Sequence, residues 1–252
     1  MDAAAKIANA FTNDDMITIE LEDGGSFTVQ KAILSNASDY FDRAVNGRFM
    51  ESSTKNLKLE EWTTESFQLF LHWICHRSLP DFFSDIDKAP SGTPELEASG
   101  DAVRDAAQIQ LIQLWVNADM CLMPALQNAA MEQLLKVLSI STAAILTIRL
   151  VYEKTSSDSP MRALFLNEFA YCHLVLDHNS FGDPYYSPED LEEVASIPGL
   201  FAEFTKCLKE NEAYQAEKLW LKSSGGQVDS ETSDYMVSTG EEMDTSADEE
   251  EE

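Results

Sequence analysis

The sequence predicts an α+β fold, in which a small three-stranded sheet near the N-terminus is capped by a cluster of helices. Three observations carry this prediction. Residues 16–21 alternate polar and apolar side chains with a period of two, as a half-buried strand does. The turn residues Asp23-Gly24-Gly25 then reverse the chain into a second such segment. From residue 63 onward, apolar residues recur at helical spacing.

The first two strands lead into a pair of helices. Phe27 and Val29 carry the return strand, and Ser38 is predicted to cap a helix with an aromatic and aliphatic face. Leu57-Lys58-Leu59 is predicted as the third strand, and the next helix opens at Thr63 or Thr64. The apolar stripe of that helix consists of Phe67, Phe70, Leu71 and Ile74.

The rest of the chain divides by composition. Residues 81–106 are rich in Asp, Ser, Pro, Gly and Glu, which predicts a long acidic surface loop. Helical periodicity then continues to residue 138 and through a predicted helical extension over 139–222. Residues 223–252 hold 11 acidic residues and no basic one, which predicts a disordered acidic tail, and residues 1–13 are predicted to be flexible.

The charge distribution excludes two classes of partner. The formal net charge is −28, and the 222 residues before the acidic tail carry −17 of it. No basic patch is found, so binding to nucleic acid or to an anionic membrane is not expected. The longest apolar run is far shorter than the roughly 18 residues of a membrane span. Four dispersed cysteines and the lack of a secretory leader predict a reducing, cytoplasmic or nuclear location.

Catalytic, cofactor and metal sites are not predicted. His72, Cys75 and His76 could share one face of a helix, but a third convergent ligand is missing and the apolar stripe already explains that helix. No serine or cysteine lies in a nucleophile elbow. Gly24-Gly25 lacks the lysine and hydroxyl residue of a phosphate-binding loop. The sequence therefore predicts a binding protein rather than an enzyme.

Landmarks of one family appear in order and at the right spacing. They are the runs Val29-Gln30-Lys31-Ala32-Ile33-Leu34, Ser38-Asp39-Tyr40-Phe41 and Phe49-Met50-Glu51-Ser52. Together they resemble the BTB/POZ domain, and the resemblance covers residues 14–138. Gln30 stands where many members have histidine. The segment from Val151 to Leu164 is similar to the one that follows the domain in BTB proteins of filamentous fungi.

This resemblance implies a protein-interaction module, and one version of it is a substrate adaptor for a cullin-3-type ubiquitin ligase. The cullin contact would then consist of Tyr40, Phe41, Phe49, Met50 and Glu51. The alternative is a scaffold or nuclear, transcriptional regulator without a ubiquitin connection, which acts through BTB contacts and the acidic tail.

Two further groups of residues follow from the same reading. Asp15 and Lys31 match the charged pocket at the interface of BTB homo- or heterodimers, although a solvated charge pair explains them equally well. In the acidic tail, Thr239, Thr245 and Ser246 each precede a carboxylate three residues later, which predicts acid-directed phosphorylation.

Overall fold

The computed structural model describes residues 15–46, 55–86, 94–174, 186–210 and 235–238. The strands are β1 (Met16–Leu21), β2 (Ser26–Gln30) and β3 (Asn56–Leu59). The helices are α1 (Lys31–Ser35), α2 (Asp39–Asn46), α3 (Thr64–His76), α4 (Phe82–Ile86), α5 (Pro94–Met120), α6 (Pro124–Leu138), α7 (Ile145–Lys154), α8 (Pro160–Leu174), α9 (Pro188–Ala195) and α10 (Leu200–Glu210).

The three strands form one mixed sheet in the order β2-β1-β3. β1 is antiparallel to β2 and parallel to β3, with Ile17 opposite Val29 and Ile19 opposite Leu57. Because side chains alternate between the two faces of a strand, Ile17, Ile19 and Leu21 all lie on the buried face. The predicted α+β class and the small three-stranded sheet are thereby confirmed.

The predicted hairpin turn joins β1 to β2 and is hydrogen-bonded to the start of α3. Gly24 adopts a φ of 84°, which glycine reaches without steric cost. The Asp23 carboxylate accepts from the Gly25 amide at 2.9 Å and from the Thr64 amide at 2.6 Å. A Cβ on Gly25 would lie 2.2 Å from Thr64 Oγ1, so any larger residue here would force the Thr64 side chain to move. These amide donors also lower the pKa of Asp23, which keeps the carboxylate charged.

Helix boundaries follow local capping chemistry where the sequence supplies it. Thr63 caps α3, since its hydroxyl accepts from the Ser66 amide at 3.2 Å while Ser66 Oγ accepts from the Thr63 amide at 3.0 Å. Ser38 Oγ accepts from the Phe41 amide at 3.3 Å, as predicted for the start of α2.

The predicted loop over residues 81–106 is wrong for much of its length. Helix α4 occupies Phe82–Ile86, and α5 begins at Pro94. Proline suits the first turn of a helix, and the segment from residue 95 to 106 contains glutamate, leucine and alanine, which favour helices. The Ser, Gly and Pro content of the whole window masked this local helix signal.

The described residues fall into two compact units. The first takes its described residues from the ranges 1–80, 113–130 and 237–252, and the second from the ranges 81–112 and 131–236. The second unit combines the described part of the predicted extension over 139–222 with earlier residues, and the domain boundary at residue 138 stays a prediction. Helices α5 and α6 each contribute residues to both units. A sequence analysis that divides the chain into consecutive segments cannot predict a helix shared in this way.

Aromatic side chains form the centre of the first unit. Phe41 packs on Phe70 with ring centroids 5.2 Å apart, and Trp62 lies 5.8 Å from Phe67. All four rings are at most 1 % exposed. Their burial removes apolar surface from water and ties α2 to α3 beneath the sheet.

Three buried polar side chains of the second unit, those of Gln108, Thr147 and Tyr186, are hydrogen-bonded. Gln108 Nε2 donates to the Thr142 carbonyl at 2.9 Å, and Gln108 Oε1 accepts from Thr147 Oγ1 at 3.0 Å. Tyr186 donates to the Ala143 carbonyl at 2.8 Å, and burial raises its pKa far above the ordinary value. These bonds hold the connection between α6 and α7, and α7 begins at Ile145. Among the described helices, none combines the length and the apolar character needed to cross a membrane.

Candidate functional site

The charged cluster consists of Asp15, Lys31 and Lys55. It lies at the end of the sheet where β1 and β3 begin and β2 finishes. Asp15 Oδ1 is 2.7 Å from Lys55 Nζ, and Asp15 Oδ2 is 3.9 Å from Lys31 Nζ. The Lys31 side chain is 22 % exposed and that of Lys55 is 68 % exposed. The predicted pair of Asp15 and Lys31 is thus present, but Lys55 makes the shorter contact with the carboxylate.

Sheet topology explains why these three residues meet. Asp15 precedes β1, and Lys31 follows the antiparallel β2, so the two residues lie at the same end of the sheet. Lys55 precedes β3, and β3 runs parallel to β1. Lys55 therefore lies at that same end of the sheet. The backbone adds to this, because the Lys31 amide donates to the Asp15 carbonyl and the Thr18 amide to the Lys55 carbonyl, each at 2.9 Å. Sequence reasoning missed Lys55 because the parallel pairing joins segments about 40 residues apart.

The hydrogen bond from Lys55, followed by its charge, holds the pKa of Asp15 below the ordinary carboxyl value, and Lys31 contributes less. We therefore expect Lys55→Met to raise the pKa of Asp15 more than Lys31→Met does. Carboxyl carbon shifts measured by NMR during an acid titration would report both changes. A larger rise in Lys31→Met would assign the dominant contact to Lys31 instead.

The exposed face of α2 is the second feature of the first unit. Tyr40 is 36 % exposed, and its ring packs edge-on against Phe41 with centroids 5.3 Å apart. Asp42 anchors the helix to α1, since its carboxylate accepts from the Ser35 hydroxyl and, at 2.8 Å, from Asn46 Nδ2. An accessible aromatic ring on an anchored helix offers a partner apolar surface at low entropic cost.

Phe41 requires a correction as a predicted cullin contact. Its side chain is 0 % exposed and lies within the aromatic core, so it has no surface to offer a partner. Its contribution to a binding face is indirect, because it supports the ring of Tyr40. Phe49, Met50 and Glu51 lie outside the described residues, as do Thr239, Thr245 and Ser246.

The two histidines of α3 lie against each other with their ring planes tilted by 36°. The rings of His72 and His76 are 4.4 Å apart, and His72 Nδ1 donates to the Ser78 carbonyl at 2.9 Å. Cys75 is exposed on the same helix. Within the parts of the chain that the structure describes, no group of three or more His, Cys, Asp or Glu side chains could hold a metal ion.

The comparison with known families identifies the N-terminal part of the chain. A family model of the BTB/POZ domain matches residues 11–89, a range that includes the whole sheet, the charged cluster and α2. This part of the chain is a BTB/POZ domain. No curated protein matches the chain. The resemblance of residues 90–138 to the same domain stays a prediction, although residues 113–130 do belong to the compact unit that contains the sheet.

BTB/POZ domains mediate protein–protein interaction and dimerisation, so this part of the chain is a protein-interaction module. The fold is not typically catalytic.

Proposed function

We propose that the chain is an adaptor whose BTB/POZ domain binds a cullin-3-type scaffold through α2 and the adjoining Phe49-Met50-Glu51 segment. The observation that carries this proposal is the exposed ring of Tyr40 on a helix anchored to α1 by the hydrogen bond from Ser35 to Asp42. Tyrosine is among the residues most often found at the energetic centre of protein interfaces. The remaining helices of the chain would recruit a second protein.

The charge around Tyr40 supports a specific interface. Asp39, Asp42 and Arg43 are all exposed on α2, so a partner helix would meet an apolar ring bordered by charges of both signs. In such an interface the buried ring supplies most of the affinity, while the charges select the partner and its orientation.

The test is binding of a purified cullin-3 N-terminal region to the full chain, measured by isothermal titration calorimetry. We expect Tyr40→Ala to weaken binding at least tenfold, since it removes the aromatic anchor. Met16→Ala is a matched control, because Met16 is 38 % exposed on the sheet and outside the proposed surface. It should bind like the unaltered chain.

Phe49→Ala and Glu51→Lys extend the test to the segment that follows α2. Absence of cullin binding by the unaltered chain would contradict the adaptor proposal and favour a scaffold or nuclear regulator. Light scattering on the same samples, with Asp15→Ala and Lys31→Ala, would show whether the charged cluster serves a dimer.

A further inference from the structure

A second kind of binding feature lies on α6, where Asn128 contacts a residue far along the chain. Asn128 Nδ2 donates to the Val237 carbonyl at 2.9 Å, and the Val237 amide donates to Asn128 Oδ1 at 2.8 Å. One side-chain amide thus satisfies both main-chain groups of a single residue. Both residues belong to the first unit, and 109 positions separate them.

Both hydrogen bonds are made to main-chain atoms of Val237 and none to its side chain. When an amide and a carbonyl of the same residue point to the same side, the backbone is extended, and a neighbouring strand would normally pair with both groups. The carboxamide of Asn128 takes the place of that strand, since it has one donor and one acceptor side by side. Nothing in the pair depends on the isopropyl group of Val237.

Helix propensity does not explain the asparagine at position 128 of α6. Asparagine is a weaker helix former than alanine or leucine, and Asn128 is only part-buried on α6. Its donor and its acceptor are both directed to Val237, so the contact with the C-terminal segment is the observed use of this side chain.

We infer that Asn128 is the recognition residue of a peptide-binding site on α6 that accepts an extended main-chain segment, and that the chain's own segment at Val237 occupies this site. A segment on the same chain has a high effective concentration, which favours its binding over that of a separate peptide. The site thereby holds the C-terminal segment against the first unit. This inference goes beyond the adaptor proposal and does not depend on cullin binding.

The first test measures hydrogen exchange of the Val237 amide by NMR in the full chain. Asn128→Ala removes both bonds and should accelerate exchange of this amide about tenfold or more. Asn128→Asp keeps the acceptor but turns the donor into a second acceptor facing the Val237 carbonyl, so we expect a similar loss. Val237→Ala keeps both main-chain groups and should leave the amide at position 237 protected.

Two outcomes would overturn the inference at this stage. Unchanged protection in Asn128→Ala would show that Asn128 does not hold the segment. Protection that rises with protein concentration would show that a second copy supplies the segment, rather than the same chain.

The second test asks whether the site binds a peptide in trans. Val237→Pro removes the amide donor and should empty the site in an otherwise intact chain. A fluorescent synthetic peptide with the sequence of residues 231–243 should then bind this variant at least tenfold more tightly than it binds the unaltered chain. Adding Asn128→Ala to Val237→Pro should abolish that gain.

Equal binding of the peptide to Val237→Pro and to the double variant would contradict a site built on Asn128. Glu132→Ala, at an exposed position of α6, is the control for a nonspecific effect of substitutions in this helix. It should bind the peptide as weakly as the unaltered chain does.

Discussion

Replacing Phe41 with alanine is expected to destabilise the first unit by about 3–5 kcal/mol, because the change opens a cavity beside the three aromatic rings that remain in the core. Phe41 is 0 % exposed, and it lies 5.2 Å from Phe70 and 6.5 Å from Trp62 between ring centroids. Urea unfolding, followed by hydrogen exchange of peptides from β1 and α3, would measure the loss in this unit separately from the second.

Its neighbour provides the matched control. Tyr40→Ala truncates an adjacent aromatic residue that is 36 % exposed, so we expect a loss of less than about 1 kcal/mol. The pair therefore separates two roles, since Phe41→Ala should lower stability and Tyr40→Ala should lower partner affinity. Equal destabilisation by the two substitutions would contradict the assignment of Phe41 to the core and of Tyr40 to the surface.

Replacing Arg162 with methionine should produce the largest loss in the second unit, at about 2–4 kcal/mol. Arg162 Nη2 donates to the carbonyls of Tyr152 and Thr155, each at 2.7 Å, and Nη1 lies 3.3 Å from Glu203 Oε1. Tyr152 donates to Glu203 Oε2 at 2.7 Å. One guanidinium thus joins the C-terminal end of α7 to α8 and α10, and methionine would leave carbonyl and carboxylate acceptors without this donor.

The number of simultaneous donors makes the prediction specific to arginine. Arg162→Lys keeps the charge but cannot reach two carbonyls and a carboxylate together, so an intermediate loss is expected. Lys154→Met removes a positive charge from an exposed position of α7 and should change stability little. Urea unfolding with hydrogen exchange of α7, α8 and α10 would rank the variants. Arg162→Met as stable as Lys154→Met would contradict the assigned role.

Local patterns predicted much of the first unit because their physical cause is local. The alternation of residues 16–21 placed Ile17, Ile19 and Leu21 on one face of β1, and all three are buried. The capping residues Ser38 and Thr63 marked the starts of α2 and α3, since a cap needs only a side chain within reach of the next three amides. Composition failed over 81–106, where averaging across a long window concealed α4 and the start of α5.

The sequence by itself predicted the α+β fold, with its small three-stranded sheet, and the BTB/POZ landmarks. Only the tertiary structure decided which of two adjacent aromatic residues is buried, because helical spacing places Tyr40 and Phe41 100° apart without stating which direction the core takes. Parallel pairing of β1 with β3 brought Lys55 to Asp15, and long-range packing brought Val237 to Asn128. Contacts between distant segments depend on how the whole chain packs, and no local pattern encodes them.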